Sequence, residues 1–257
     1  MGRFAKLEMG SSPAQADQSA VTPDLDEQQC LSTGADKFRS GFYEDAIAEY
    51  SRALQFNRDL ASAWVGQIRC LLGSYEYAEA ATWCDRALER FANTPDLLAC
   101  KGLALTYLGD STGPKYLDLA IEMRTPSEWV WLARGQSLLT RKNGDTNAAR
   151  CFLKALESSG GDWHTDLRIG IAYNTEHRYA QARSHLMQAA REAPQNPLCA
   201  YQLGVMHEGV SDTASAISSY ERALNLRHGY KEAMRALERA RKTDTTTKMI
   251  RRLWQRT

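Results

Sequence analysis

Histidine, cysteine and glycine spacing is where a catalytic or metal-binding chain of this length would declare itself. His164, His177, His185, His207 and His228 are scattered, and none stands in H-E-x-x-H, the spacing that sets two imidazoles on one helical face for zinc. Cys30, Cys70, Cys84, Cys100, Cys151 and Cys199 form no C-x-x-C pair and stand mostly among apolar neighbours, as free buried thiols do. A redox pair or a zinc site is the alternative reading of those six. There is no G-x-S-x-G elbow. The run G-D-S-T-G-P-K at 109–115 resembles a phosphate loop, but it has one residue too few between its glycines, Pro114 before the lysine, and Tyr116 where a hydroxyl would bind magnesium. A turn between helices explains it better. The sequence therefore predicts no catalytic residues, no cofactor and no metal, and a binding protein rather than an enzyme.

The elements that would position any binding surface are read from a period. Ala46 and Ala80, Ala53 and Ala87, Ala182 and Ala216, and Ala189 and Ala223 are each 34 residues apart. Tyr43 answers Tyr77, and Gly170 answers Gly204, at the same step. Distant copies stay in register, since Gly34 to Gly170 and Tyr43 to Tyr179 are both 136, four times 34. Ala87, Ala120 and Ala155 step by 33 and then 35, which places a one-residue loss near Gly109 to Pro114 and a gain near Lys142 to Asp145. Turns tolerate such changes best.

The motifs A-S-A-W-V-G-Q-I-R-C-L-L at 61–72 with Y-E-Y-A-E-A-A-T-W-C-D-R-A-L after it, and L-R-I-G-I-A-Y followed by R-Y-A-Q-A-R-S-H-L-M-Q-A-A-R-E-A-P, resemble the tetratricopeptide-repeat family from about residue 27 to 242. The resemblance implies an all-α, right-handed α-solenoid of about six helix-turn-helix repeats, at roughly 27–60, 61–94, 95–127, 128–162, 163–196 and 197–230, with a capping helix at 231–242. A glycine at the eighth position of each repeat would let its first helix (A) approach its second (B), while alanines at the twentieth and twenty-seventh leave room for the neighbour. Trp64, Trp131, Leu138, Tyr173, Leu203 and Tyr220 are expected to fill the core. Repeat three departs from the pattern, because Gly113 and Pro114 stand where its B helix should begin. Proline is tolerated only in a first turn, so that helix is expected to be short and to start near Pro114.

In this family the A helices line a concave groove, so the resemblance implies a peptide-binding surface that includes Phe38, Arg39, Arg69, Tyr107, Gln136, Arg168, Asn174 and Tyr201. It is largely apolar with isolated arginines. The Lys and Asn pattern by which some members clamp acidic chaperone tails is missing, since Leu31, Ala35, Gly66, Asp96 and Cys100 stand at those places. The expected partner is another protein or peptide with apolar anchors, its acidic groups meeting the arginines. Close packing of A helices against one another is the alternative account of the same apolar residues.

Charge is balanced overall, 32 Lys and Arg against 31 Asp and Glu, which gives no global reason to expect nucleic acid or an anionic membrane. The ends differ. Residues 1–24 read as a flexible arm that could carry Phe4 and Leu7 into a groove, and they lack the roughly seven to fifteen apolar residues of a secretory signal. A cytoplasmic protein is expected. Residues 231–257 hold nine Lys or Arg against three Asp or Glu. Within 243–257, Lys248, Arg251, Arg252 and Trp254 belong to an expected basic amphipathic helix, separated from the cap by T-D-T-T-T. It could cover the last repeat, contact anionic lipid or nucleic acid as part of an accessory subunit, or dock a partner. Self-association into a homo-oligomer through the arm or this helix is the remaining alternative.

Overall fold

Small residues at fixed spacing let helices pack in pairs, and the computed structural model shows how. It describes residues 23–123 and 126–254, with side chains for 26–123 and 126–245. Among the described residues every regular element is an α-helix. The chain forms two compact units that divide between Ser137 and Leu138. The first holds α1 (Pro23–Arg39), α2 (Tyr43–Phe56), α3 (Ala61–Gly73), α4 (Tyr77–Arg90), α5 (Pro95–Tyr107), α6 (Gly113–Glu122) and most of α7 (Glu128–Leu139). The second holds α8 (Asp145–Ser159), α9 (Trp163–Thr175), α10 (Tyr179–Glu192), α11 (Pro197–Gly209), α12 (Thr213–Leu226) and α13 (Lys231–Trp254). The fold is an all-α helical repeat.

Close approach explains the glycines. A Cβ built on Gly66 would lie 2.5 Å from the Tyr50 ring, and one on Gly34 would lie 2.9 Å from the same ring. Tyr50 of α2 therefore fills the space that two glycines leave on α1 and α3. In the second unit Gly204 meets the Tyr220 ring in the same way, at 2.4 Å. The alanines of the B helices, among them Ala46, Ala53, Ala80, Ala87, Ala182, Ala189, Ala216 and Ala223, are fully buried. Tyr173, Tyr220 and Leu138 are core residues as expected, whereas Trp64, Trp131 and Leu203 are half-buried.

The turn from A helix to B helix keeps the period more strictly than the alanines do. Gly41, Tyr75, Gly109, Asn143, His177 and Ser211 all take positive φ, between 57° and 78°, and each stands 34 residues after the one before it. That left-handed residue closes one hairpin and launches the next helix. The one-residue loss thus falls between Gly109 and α6, and the gain between Asn143 and Ala148. As a result Gly113, itself buried, takes the small-residue position at the start of α6. A Cβ there would meet Gly102 O and Thr106 N at 2.7 Å. Helix α6 has ten residues and Pro114 in its first turn, as the departure in repeat three predicts.

The C-terminal helix differs from expectation. Helix α13 runs without a break from Lys231 to Trp254, straight through the Thr243–Thr247 stretch that was expected to separate two helices. The Thr243 hydroxyl donates to the Arg239 carbonyl and that of Thr245 to the Arg241 carbonyl, so these side chains bond back along the helix rather than opening it. Its first half caps the stack. Ala233, Ala236, Leu237 and Ala240 are buried against Tyr220, Tyr230 and Ala223. The side chains of Lys248, Arg251, Arg252 and Trp254 lie outside the described residues, as does the arm with Phe4 and Leu7.

Candidate inner-face site

The two kinds of helix differ in how much of their circumference is covered. Helix α4 exposes Ala78, Thr82, Asp85, Arg86, Glu89 and Arg90 on one side and buries Ala80, Trp83, Cys84 and Ala87 on the other. Among the described residues of α3, α5 and α7, by contrast, Ser62 alone is exposed. Their apolar residues go all the way round, and such helices are buried on every side. In the second unit every residue of α9 from His164 to Asn174 is buried.

In the first unit the inner face centres on Arg69. Its guanidinium lies 5.0 Å from the centroid of the Phe38 ring and 4.6 Å from that of Trp129, joining α1, α3 and α7. Arg69 Nη2 is 3.8 Å from Glu128 Oε1, a separation too long for a hydrogen bond. Its Nε is buried and finds no acceptor among the described residues. Beneath it the Trp129 indole N–H donates to Cys100 Sγ at 3.1 Å. Gln136 is buried on α7, and Arg39 is half-buried at the end of α1. Tyr107 stacks on Tyr77 at 4.7 Å, bracing α5 against α4.

The second unit places Arg168 and Asn174 together on α9, both buried. The Asn174 amide donates to the carbonyl and to Oε1 of Gln202 on α11, while its own Oδ1 has no donor among the described residues. Tyr201 turns away from α9 and packs between the rings of Tyr220 and Tyr230, as a closing element of the α11–α12–α13 core. Two groups escaped the sequence reading. Glu128, the carboxylate facing Arg69, stands 59 residues from it and has no local signature. The His185 to Asp166 contact, 2.7 Å between α10 and α9, has Tyr173 stacked on the imidazole. Only the hairpin register, nineteen residues across the α9–α10 turn, could have paired them.

Other chemistry is inert or structural. All six cysteines are free and buried; burial raises the thiol of Cys84 far above its usual range and that of Cys199 to about 12. Thiols held so high are poor nucleophiles. No group of three or more His, Cys, Asp or Glu among the described residues is placed to hold a metal. The 109–115 run is the α5–α6 turn, where the Asp110 carboxylate accepts from the amide and hydroxyl of Thr112. Those bonds lower the Asp110 pKa.

Residues 32–96 match the family model described as tetratricopeptide repeat. The chain is a tetratricopeptide-repeat protein. Similar folds occur in solved structures. A tetratricopeptide-repeat protein from Parabacteroides merdae matches with a TM-score of 0.52 at 15% identity over 84% of each chain. Human IFIT1, solved as a dimer with m7Gppp-AAAA, gives 0.56 at 12% identity over 91% of this chain and 71% of its own. The structure of the APC/C hetero-tetramer Cut9-Hcn1 gives 0.52 at 17% identity over 83% of this chain, which spans 42% of the matched chain's length. No curated protein matches the sequence. Tetratricopeptide repeats account for the period, the Gly to Tyr approaches and the small residues of the B helices. No described helix is long and apolar enough to cross a membrane.

Proposed function

We propose that this tetratricopeptide-repeat protein is an interaction module that holds a peptide segment of a partner protein on the inner face of its A helices, with Arg69 as the anchor of the first unit. The observation that carries this reading is the state of the Arg69 guanidinium. It is held flat between two aromatic rings, it has a buried Nε without an acceptor, and its nearest carboxylate stands at 3.8 Å. A buried donor left unmade costs about 1 to 3 kcal/mol, so an incoming carboxylate or carbonyl that completes it gains that much. The rings on either side are apolar anchors for the flanking residues of the segment.

The fold alone does not select the ligand, since similar folds are seen with Hcn1 in one structure and with m7Gppp-AAAA in another. The surface chemistry favours a peptide. Recognition of a nucleic-acid backbone draws on several cations together, whereas Arg69 already faces Glu128 across an otherwise apolar patch. The A-helix layer is also closely covered, so a segment binds by displacing side chains rather than by entering an open cleft.

A peptide-display selection with the full chain tests the proposal. It should enrich short segments with one acidic residue flanked by aromatic or aliphatic residues, and the enrichment should disappear with Arg69→Gln. Failure to enrich any segment, or enrichment indifferent to Arg69→Gln in a protein of unchanged circular dichroism, would refute it.

A further inference from the structure

We infer that the projecting half of α13, residues 241–254, is a docking helix for an anionic lipid surface. Three observations carry this. The first is continuity. Because α13 is unbroken, residues after Ala240 continue along the helix axis for about 20 Å instead of folding back over the last repeat. That repeat is already covered by Ala233, Ala236, Leu237 and Ala240. Past this point Arg241, Lys242, Thr243 and Thr245 are exposed.

The second observation is register. At about 100° per residue, Met249, Ile250, Leu253 and Trp254 fall on a stripe rotated by roughly 120° from the stripe that packs on the repeats. Arg251, eighteen residues after Ala233, falls in line with the packing stripe, where a helix that continued to cover the stack would need a small apolar residue. The second apolar stripe therefore serves a different surface.

Charge is the third. Residues 241–254 hold five Lys or Arg and one acidic residue, with Lys248 and Arg252 on the side of the helix opposite the apolar stripe. Two copies of so basic a helix repel each other, which disfavours pairing with a second copy and calls for an anionic occupant. A nucleic acid or an acidic protein would answer the charge. A stripe ending in Leu253 and Trp254 beside the basic residues matches a bilayer interface, which uses both: the apolar residues enter the headgroup boundary while the cations meet anionic lipid. Four apolar residues are too few for firm binding to neutral lipid, so attachment depends on charge and can be reversed.

Flotation of the full chain with vesicles tests this, comparing phosphatidylcholine alone with phosphatidylcholine containing roughly 30% phosphatidylserine. The bound fraction should be at least about tenfold higher on the anionic vesicles and should fall as salt rises from about 50 to 500 mM. The triple variant Lys248→Glu/Arg251→Glu/Arg252→Glu, and separately Leu253→Ser/Trp254→Ser, should each reduce it about tenfold or more. Equal binding to both vesicle types, or none to either, overturns the inference. So does loss with the charge variant alone, which would assign the helix to an acidic macromolecule. Salt dependence of the unaltered protein keeps the test decisive even if a variant misfolds.

Discussion

The guanidinium of Arg69 lies 4.6 Å over the indole of Trp129, four helices further along the chain. The same group covers Phe38, so one cation ties α1, α3 and α7 together. Arg69→Ala should lower the stability of the first unit by about 1 to 2 kcal/mol, read as a fall in urea midpoint at unchanged slope. Arg69→Lys should recover less than half, because an ammonium keeps the charge but cannot stack flat on two rings.

Gly66 and Tyr50 make a second pair whose worth can be measured. Gly66→Ala should cost about 2 kcal/mol or more, since the new methyl meets the ring at 2.5 Å. Tyr50→Leu alone should cost a similar amount by leaving a void. Together they should cost less than the sum, and a double-mutant cycle in denaturant reads the difference. Additive losses would mean that the glycine serves something other than the ring.

Ser211 holds the left-handed turn before α12 at φ 62°, a place that Gly41 and Gly109 fill in other repeats without steric cost. Ser211→Gly should stabilise the protein by about 0.5 to 1 kcal/mol and raise Tm by about 2 °C, measured by calorimetry.

Glu176 caps the C-terminus of α9, where burial raises its pKa and the helix dipole also disfavours a negative charge. A carboxyl with a raised folded-state pKa contributes stability below its unfolded value, about 4.3, and that contribution is lost as pH rises through the folded value. Glu176→Gln should therefore stabilise at pH 7, with the gain shrinking towards zero below about pH 4. Urea melts across that range would show the trend, and a gain that persisted at low pH would assign the effect to packing.

The period made most of the fold legible, because 34-residue spacing of small residues is imposed by helix approach. Gly34 and Gly66 are glycine because Tyr50 occupies the space their side chains would need. The state of the inner face was not legible. Positions for Arg168, Asn174 and Trp129 could be assigned to A helices, yet all three are buried, since burial depends on how closely successive helices approach and on where long side chains lie. Tyr201 belongs to the core because Tyr230, beyond the last repeat, reaches its ring at 5.2 Å. Thr243 and Thr245 looked like a break because threonine disfavours helix interiors; their hydroxyls bond back to the preceding turn and the helix continues.

The central claim, that Arg69 anchors a bound segment, is tested most directly by calorimetric titration of one display-selected peptide. The protein would be used unaltered and with Arg69→Gln, alongside Arg90→Gln, whose guanidinium pairs with Asp59 on the exposed surface. Loss of a charge-assisted hydrogen bond predicts at least about tenfold weaker binding for Arg69→Gln and no change for Arg90→Gln. Equal affinity across all three proteins, each folded by circular dichroism, would contradict the account and place the binding surface elsewhere.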